Sequence, residues 1–318
     1  MIRAVAIVGP TASGKTGLSL ELAEKLGAEI ISLDSMQIYR GMDIGTAKAT
    51  ENERARIPHH LVDFLSPNES YSTERYRSDA LAAARDISGR GRLPLFVGGT
   101  GLYLDTLLRA PQSNIPESSE EYRDKILAQL KTPEDVHALW ERLRSVDPES
   151  AEKIHENNVR RVIRALEIYD ATGITKTRLD EESRLLAREI DILVLSLDFH
   201  SRELLYSRIG TRVDEMLKEG LLSEVKELYE NGFLDGNNTA SQAIGYKELL
   251  PCITEGAELS SAIDELKQST RRYAKRQLTW FRHVDAKRIM MDCENGNLRS
   301  FDEVLTEALE IINTHFKG

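Results

Sequence analysis

Residues 4–26 read AVAIVGPTASGKTGLSLELAEKL: an apolar run, a break at Gly9, eight residues of the form G-x-x-x-x-G-K-[ST], then a helical pattern. A strand, a glycine-bounded loop and a helix in that order make a phosphate-binding loop. Its backbone N–H groups and the helix N-terminus surround phosphate oxygens. Gly9, Pro10, Thr11, Ala12, Ser13 and Gly14 form the cradle, Lys15 neutralises charge, and the Thr16 hydroxyl offers a ligand to Mg²⁺. A glycine-rich turn that merely starts a helix would not explain all three elements together. Such a loop holds a diphosphate whatever is attached to it, so ATP-type and other diphosphate ligands both remain open.

Two further segments repeat the design. Gly27 stops the first helix and EIISLDS reads as a second strand, followed by MQIYRGMDIGTAK, which is too irregular for a helix. RLPLFVGGTGLYLDTLL gives a third strand, a glycine turn and a helix. The pattern predicts an α/β fold with a P-loop NTPase-like core, a mainly parallel sheet flanked by helices. Ligands of such sheets sit outside the carboxyl ends of the strands, which brings Asp34, Ser35, Gln37 and Thr100 toward the cargo of the loop. Asp34 fits a Mg²⁺ ligand of an ordinary NTPase or a helix N-cap equally well by spacing. The pair His59-His60 points to opposite faces of a strand and reads as structural, not as a metal site.

The 318 residues suffice for two domains. After Pro111 the chain turns acidic and helical, without further loops of the nucleotide type, and DILVLSLDF then returns as a strand. The expected organisation is a core of residues 1–112 and 191–318 interrupted by a small all-α insertion, residues 113–190. The start MIRAVAIVGP lacks a secretory pattern, no apolar stretch reaches membrane-spanning length, and Cys252 and Cys293 stand apart in no metal-like spacing. These features predict a cytoplasmic protein without a membrane anchor.

A net charge of −10 argues against a nucleic-acid partner only if charge is spread evenly. It is not. From Lys267 to Arg288 eight cations face the single acid Asp285. Ile263, Leu266, Tyr273 and Phe281 recur near helical spacing, so one face can pack while Arg272, Lys275 and Arg276 turn outward. Trp280 and Phe281 could stack a base, although packing is the commoner role. In NNVRRVIRALEIY, Arg160 and Arg164 lie one turn apart with Arg161 beside them, and Arg208 and Arg212 share a face of a helix capped by Ser201 and stopped by Gly220.

The ordered set GPTASGKT, DSMQIYRGMDIGTAK, HHLVD, VGGTGLY, NNVRRVIRALEIY, RIGTRVDEML, QAIGYKEL and KRQLTWFR resembles the tRNA dimethylallyltransferases along nearly the whole chain. That resemblance implies that the loop carries dimethylallyl diphosphate, with the diphosphate as leaving group. The acceptor is then N6 of adenosine 37, beside the anticodon of tRNAs reading codons that begin with U. It implies Asp34 as general base, Thr100 at the reacting end and Arg212 on the diphosphate, with Mg²⁺ as cofactor. The implied tRNA contacts are Asp34, Ser35, Met36, Gln37, Thr100, Arg123, Arg160, Arg161, Arg164, Gln242, Gly245, Tyr246, Arg272, Lys275 and Arg276, within stretches that include Ser241–Tyr246. Gln37 and nearby backbone would read the target base, and the helical insertion would arch over the anticodon loop. The resemblance implies a monomer, and the lack of a Cys/His cluster after the core fits the shorter bacterial form. GITKTRLDEES departs from the proline-bearing segment usual after ATG, so no role is carried onto Lys176 or Arg178. The rival readings are a P-loop kinase, a prenyltransferase of free adenine nucleotides and a non-catalytic RNA-binding protein.

Overall fold

Six strands, β1 (Ile2–Val8), β2 (Ala28–Ser32), β3 (His59–His60), β4 (Leu93–Gly98), β5 (Ile190–Asp198) and β6 (Lys287–Met290), pair in parallel in the order β3-β2-β4-β1-β5-β6. The computed structural model describes residues 1–110, 119–185, 188–236 and 238–317. The P-loop-like α/β architecture expected from the sequence is present. The central strands are buried on both faces because helices cover both, which is why they read as continuous apolar runs. Alternate residues Val5 and Ile7 of β1, with Leu193, Leu195 and Leu197 of β5, form one core face. The helix Lys15–Leu26 covers it with Leu18 and Leu22, and the helix Phe301–Lys317 with Val304 and Ala308.

Register brings the carboxyl ends of these strands level. Val8 lies opposite Gly98 on one side and Ser196 on the other, and Ser32 lies opposite Val97. The loops that follow β1, β2 and β4 therefore emerge along one edge of the sheet, where the phosphate loop, Asp34 and Gly99 are found. The irregular segment after Asp34 forms turns, with one bridge between Tyr39 and Leu65.

The chain divides into two compact units, Met1–Leu107 with Ile190–Gly318, and Leu108–Glu189. The second unit contains helices at Glu120–Leu127, Pro133–Val146, Pro148–Lys153, Val159–Thr172 and Lys176–Leu185, and no strand among its described residues. Leu143, Ala151, Val162 and Leu166 form its core. The anticipated boundary at residue 113 lies outside the described residues. No helix among the described residues is long and apolar enough to cross a membrane.

The amino end of β2 holds a buried carboxylate. Glu29 accepts hydrogen bonds from the Arg90 guanidinium, 2.8 Å to Nη2, and lies 2.8 Å from His60 Nε2. This contact gives His60 the structural role expected of it and ties β2 to β3 and to the end of the helix Thr73–Gly89. Hydrogen bonding from Arg90 holds the Glu29 carboxyl down at about 2, against burial, which pushes it up. A carboxyl lowered on folding contributes stability that is present above its ordinary value of 4.5 and is lost as pH falls toward 2. Glu29→Gln is therefore expected to be less stable than the parent at pH 7 by chemical denaturation. The gap should narrow between pH 4.5 and 3, and a constant gap would show that the charge of Glu29 is not what stabilises this edge.

Candidate active site

The loop between β1 and the helix Lys15–Leu26 needs glycine at two places for different reasons. Gly14 has φ +95° at the helix entry, and a side chain on Gly9 would come within 2.8 Å of the Leu197 carbonyl oxygen. Lys15 Nζ donates to the carbonyls of Gly9 and Pro10 at 3.0 and 2.7 Å, folding back over the loop. Burial, aided by Arg212, lowers the Lys15 ammonium to about 7, and Asp34 opposes that fall. Ser13 is fully buried and its hydroxyl makes no hydrogen bond within the protein. A polar cradle with a desolvated cation and a buried hydroxyl of this kind gains its missing partners from an anion.

One cavity of about 1290 Å³ is lined by Thr11–Thr16, Asp34–Gln37, the segment 43–51, Arg208, Arg212, Gln242, Gly245, Tyr273 and Arg276. That exceeds the few hundred to about 1,000 Å³ typical of a single small ligand. The Asp34 Oδ1 accepts the Met36 N–H at 2.9 Å in an Asx-type turn, and no helix begins there, so the N-cap alternative does not hold. Burial raises the Asp34 carboxyl above its ordinary value, against the Met36 and Gln37 N–H groups, Lys15 and Arg212. Arg212 enters from the helix Arg202–Glu219, which starts at Ser201 and ends at left-handed Gly220 as its sequence predicts. Burial lowers the Arg212 guanidinium while Asp34 raises it. From the same helix Arg208 Nε donates to the Ala12 carbonyl at 2.8 Å, fixing the loop to the arginines.

A family model described as IPP transferase matches residues 37–284, and one described as isopentenyl transferase matches residues 2–59. The chain belongs to the IPP transferase family. Two curated tRNA dimethylallyltransferases illustrate the similarity. That of Geobacillus thermodenitrificans is 51% identical over 280 residues, covering 88% of this chain and 87% of the relative. That of Anoxybacillus flavithermus is 48% identical over 282 residues, covering 88% of each. Among solved structures, a tRNA delta(2)-isopentenylpyrophosphate transferase from Staphylococcus epidermidis superposes with a TM-score of 0.71 at 42% identity, covering 99% of this chain and all of its own. A eukaryotic dimethylallyltransferase acting on tRNA gives 0.82 at 32% identity, over 99% of this chain and 79% of its own.

Several residues that the family pattern suggests sit differently from their expected roles. Tyr246 is fully buried, donates its hydroxyl to Glu224 at 2.6 Å and packs its ring over Gly45, so its side chain is core and not an RNA contact. Gln37 lines the cavity, but its amide nitrogen is donated to the Thr46 and Ala47 carbonyls at 3.2 and 3.1 Å and its oxygen accepts from Ser32. Its amide therefore braces the loop. Thr100 lies behind Ser35, whose N–H it accepts at 3.1 Å, and is not in the cavity wall. Arg164 is ion-paired to Glu167 at 2.6 Å and partly buried, whereas Arg160 and Arg161 are exposed; Arg123 lies 3.5 Å from Glu120. Gln242 donates to the Gly236 carbonyl, and the Gly245 N–H to Glu248.

On the basic helix Leu259–Phe281, Arg272, Lys275 and Arg276 are exposed as expected, and Phe281 is buried. Trp280, partly buried, packs where a side chain on Gly101 would stand, in keeping with a packing role. Tyr273 is the correction in the other direction. Counted with the packing face, it lines the cavity instead, with the Arg276 guanidinium 5.6 Å from its ring centre. Two more site residues escape sequence reading. Glu224 accepts the N–H groups of Asp43, Ile44 and Gly45 at 3.0, 2.7 and 3.0 Å, and the buried Lys48 ammonium donates to the Tyr39 carbonyl and to Asp63 at 2.6 and 2.8 Å. Together they shape the irregular segment into a cavity wall.

Among the described residues no three His, Cys, Asp or Glu cluster to hold a metal. The oxygen donors that line the cavity include the Thr16 hydroxyl and the Asp34 carboxylate, which suit a Mg²⁺ held mostly by ligand oxygens and water and not by a protein cage. Glu224→Ala should destabilise the fold by about 2–4 kcal/mol, because three backbone donors and a buried phenol lose one carboxylate; Tyr246→Phe should cost only about 1 kcal/mol. Urea denaturation of the two variants checks both values, and equal losses would mean that the phenol, not the loop, is the main client of Glu224.

Proposed function

We propose that the chain transfers the dimethylallyl group of dimethylallyl diphosphate to N6 of adenosine 37, beside the anticodon of tRNAs that read codons beginning with U. The observation that carries this reading is one cavity in which a carboxyl raised by burial, Asp34, stands with Lys15, Arg208 and Arg212 at a diphosphate-type loop. An ordinary kinase needs that cavity to hold a nucleotide and a small acceptor. Here Arg276 of the basic helix lines the same cavity, with the exposed Arg272 and Lys275 close by in sequence, which suits an RNA acceptor.

The chemistry follows from the charges. The adenine N6 attacks the allylic C1, the N6–C1 bond forms as the C1–O bond breaks, and the diphosphate departs with the bonding pair. Lys15, Arg212 and the N–H groups of Gly14–Thr16 at the helix N-terminus stabilise the negative charge that develops on it. N6 becomes positive as it is alkylated and gives its proton to Asp34, whose raised basicity suits that task. Thr16 would hold a Mg²⁺, which would supply further charge neutralisation at the diphosphate when bound. Reaching the cavity requires the base to leave its stack, which costs a few kcal/mol in a single-stranded loop. Arg272, Lys275 and Arg276, with Arg160, Arg161 and Arg123 of the second unit, carry the backbone contacts that offset this cost. Asp34–Met36, Gln242 and Gly245 contribute the contacts nearest the base. The reading is of a monomer acting in the cytoplasm.

The test is transfer of radiolabelled prenyl from dimethylallyl diphosphate to an unmodified tRNA with adenosines at 36 and 37, beside AMP and an ATP-only control. Label on tRNA alone is expected. Label on AMP would point to a free-nucleotide prenyltransferase, and ATP turnover without label to a kinase. Asp34→Ala should retain tRNA binding and lose about a hundredfold or more in turnover, the scale of a general base; near-normal turnover would remove Asp34 from that role. Arg272→Ala should weaken tRNA binding and flatten its salt dependence by about one unit of slope, the mark of one lost phosphate contact.

A further inference from the structure

Gln277 is a buried amide on the basic helix, and its polar atoms all serve loops of the active site. Its Oε1 accepts the Thr11 N–H at 2.9 Å, and its Nε2 donates to the Gly99 carbonyl at 3.1 Å. The Tyr273 hydroxyl, one turn earlier, meets both this amide and the Thr100 hydroxyl. The amide occupies space that only glycine leaves free: a Cβ on Gly99 would stand 2.0 Å from Nε2. Gly99 follows β4, Thr11 follows β1, and Thr100 accepts the Ser35 N–H next to Asp34. One side chain thus pins the diphosphate loop to the turn that supports the proposed base.

We propose that Gln277 is a positioning residue for the prenyl donor, holding the loop in its ligand-ready form before the diphosphate arrives; this rests on the donor being seated in that loop. The Thr11 N–H is committed to Gln277 and not to solvent or to the loop's own carbonyls, so the neighbouring N–H groups are oriented without help from the ligand. Such preorganisation lowers the ordering cost of binding. The amide suits this place because one site demands an acceptor and the other a donor, and its oxygen and nitrogen offer both on one rigid plane. Arg272 and Lys275 of the same helix are exposed and do not line the cavity, so the loss of Gln277 should fall on the donor and spare the RNA.

Gln277→Met keeps the volume and removes both bonds, whereas Gln277→Glu keeps an acceptor for Thr11 but offers no donor to Gly99. Binding of dimethylallyl diphosphate by calorimetry, tRNA binding by filter retention, and KM and kcat for each substrate are measured for both variants and the parent, with thermal melts to verify folding. Both variants should raise the donor Kd and KM by about tenfold or more, the scale of an unsatisfied buried polar group, with Gln277→Met the worse. The tRNA Kd should stay within about twofold and kcat at saturating donor within about threefold of the parent, an expectation of a preorganisation effect confined to the donor. If Gln277→Met does not fold, Gln277→Glu is read by the same criteria. A folded variant with unchanged donor affinity, or with KM raised equally for both substrates, overturns the inference. Failure of the parent itself to bind dimethylallyl diphosphate would instead overturn the assignment of the loop's ligand.

Discussion

Asp34 stands beside the phosphate loop because the carboxyl ends of β2 and β4 are pressed together at Gly98. A Cβ on Gly98 would lie 2.4 Å from the Leu33 carbonyl group, and the Leu33 N–H and carbonyl are bonded to Val97 and Thr100 at 2.8 and 3.0 Å. That pinch is a backbone constraint, set by parallel pairing and by the absence of a side chain. It aims the chain leaving β2 toward the mouth of the loop after β1. The cavity, the polarity of its floor and the reach of Arg212 all depend on this placement.

The electrostatics of the site then follow from burial more than from charge count. Lys15 and Arg212 are both lowered by desolvation, and Asp34 is raised by it, so each group is held away from its preferred charge in water. A diphosphate supplies the negative charge that restores both cations at once. Under the proposed transfer, a departing anion and a proton released at N6 would be served by groups that need little reorganisation, which is the condition under which electrostatic stabilisation of a transition state is largest. The unbonded Ser13 hydroxyl points the same way, since a buried hydroxyl without a partner is costly unless a ligand completes it.

Legibility in the sequence divides along physical lines. The sheet, the loop and the capped arginine helix were readable because each has a local signature: an apolar run, a glycine spacing, Ser201 before and Gly220 after a helical period. Of the residues that line the cavity, Lys15 and Asp34 were placed there by such signatures, and Arg212 by the family resemblance. What stayed hidden depends on partners far away in the chain. Glu224 looks like any helix-surface acid until the three N–H groups of residues 43–45 are brought to it, and Tyr246 looks like a contact residue until Glu224 takes its hydroxyl. Tyr273 has the helical phase of the packing face, yet the helix passes the mouth of the cavity at that turn and makes the ring part of its wall. Periodicity reports which face of a helix is covered, and cannot report whether protein or ligand covers it.

The same distinction explains how a chain of net charge −10 can serve an RNA substrate. A protein that neutralises phosphates everywhere binds RNA without selection, because counterion release rewards any cation near any phosphate. An acidic surface removes that general attraction and leaves it only where acids are scarce. Between Lys267 and Arg288 the single acid is Asp285. Lys267 is bound to Asp214 at 2.6 Å, which draws one cation of the strip into a protein contact, while Arg272, Lys275 and Arg276 stay at the surface. Arg276 also stands over Tyr273 at the cavity wall. Phosphate affinity is thereby concentrated next to the cavity, so an RNA held by its backbone at the strip would lie close to the groups that act on its base.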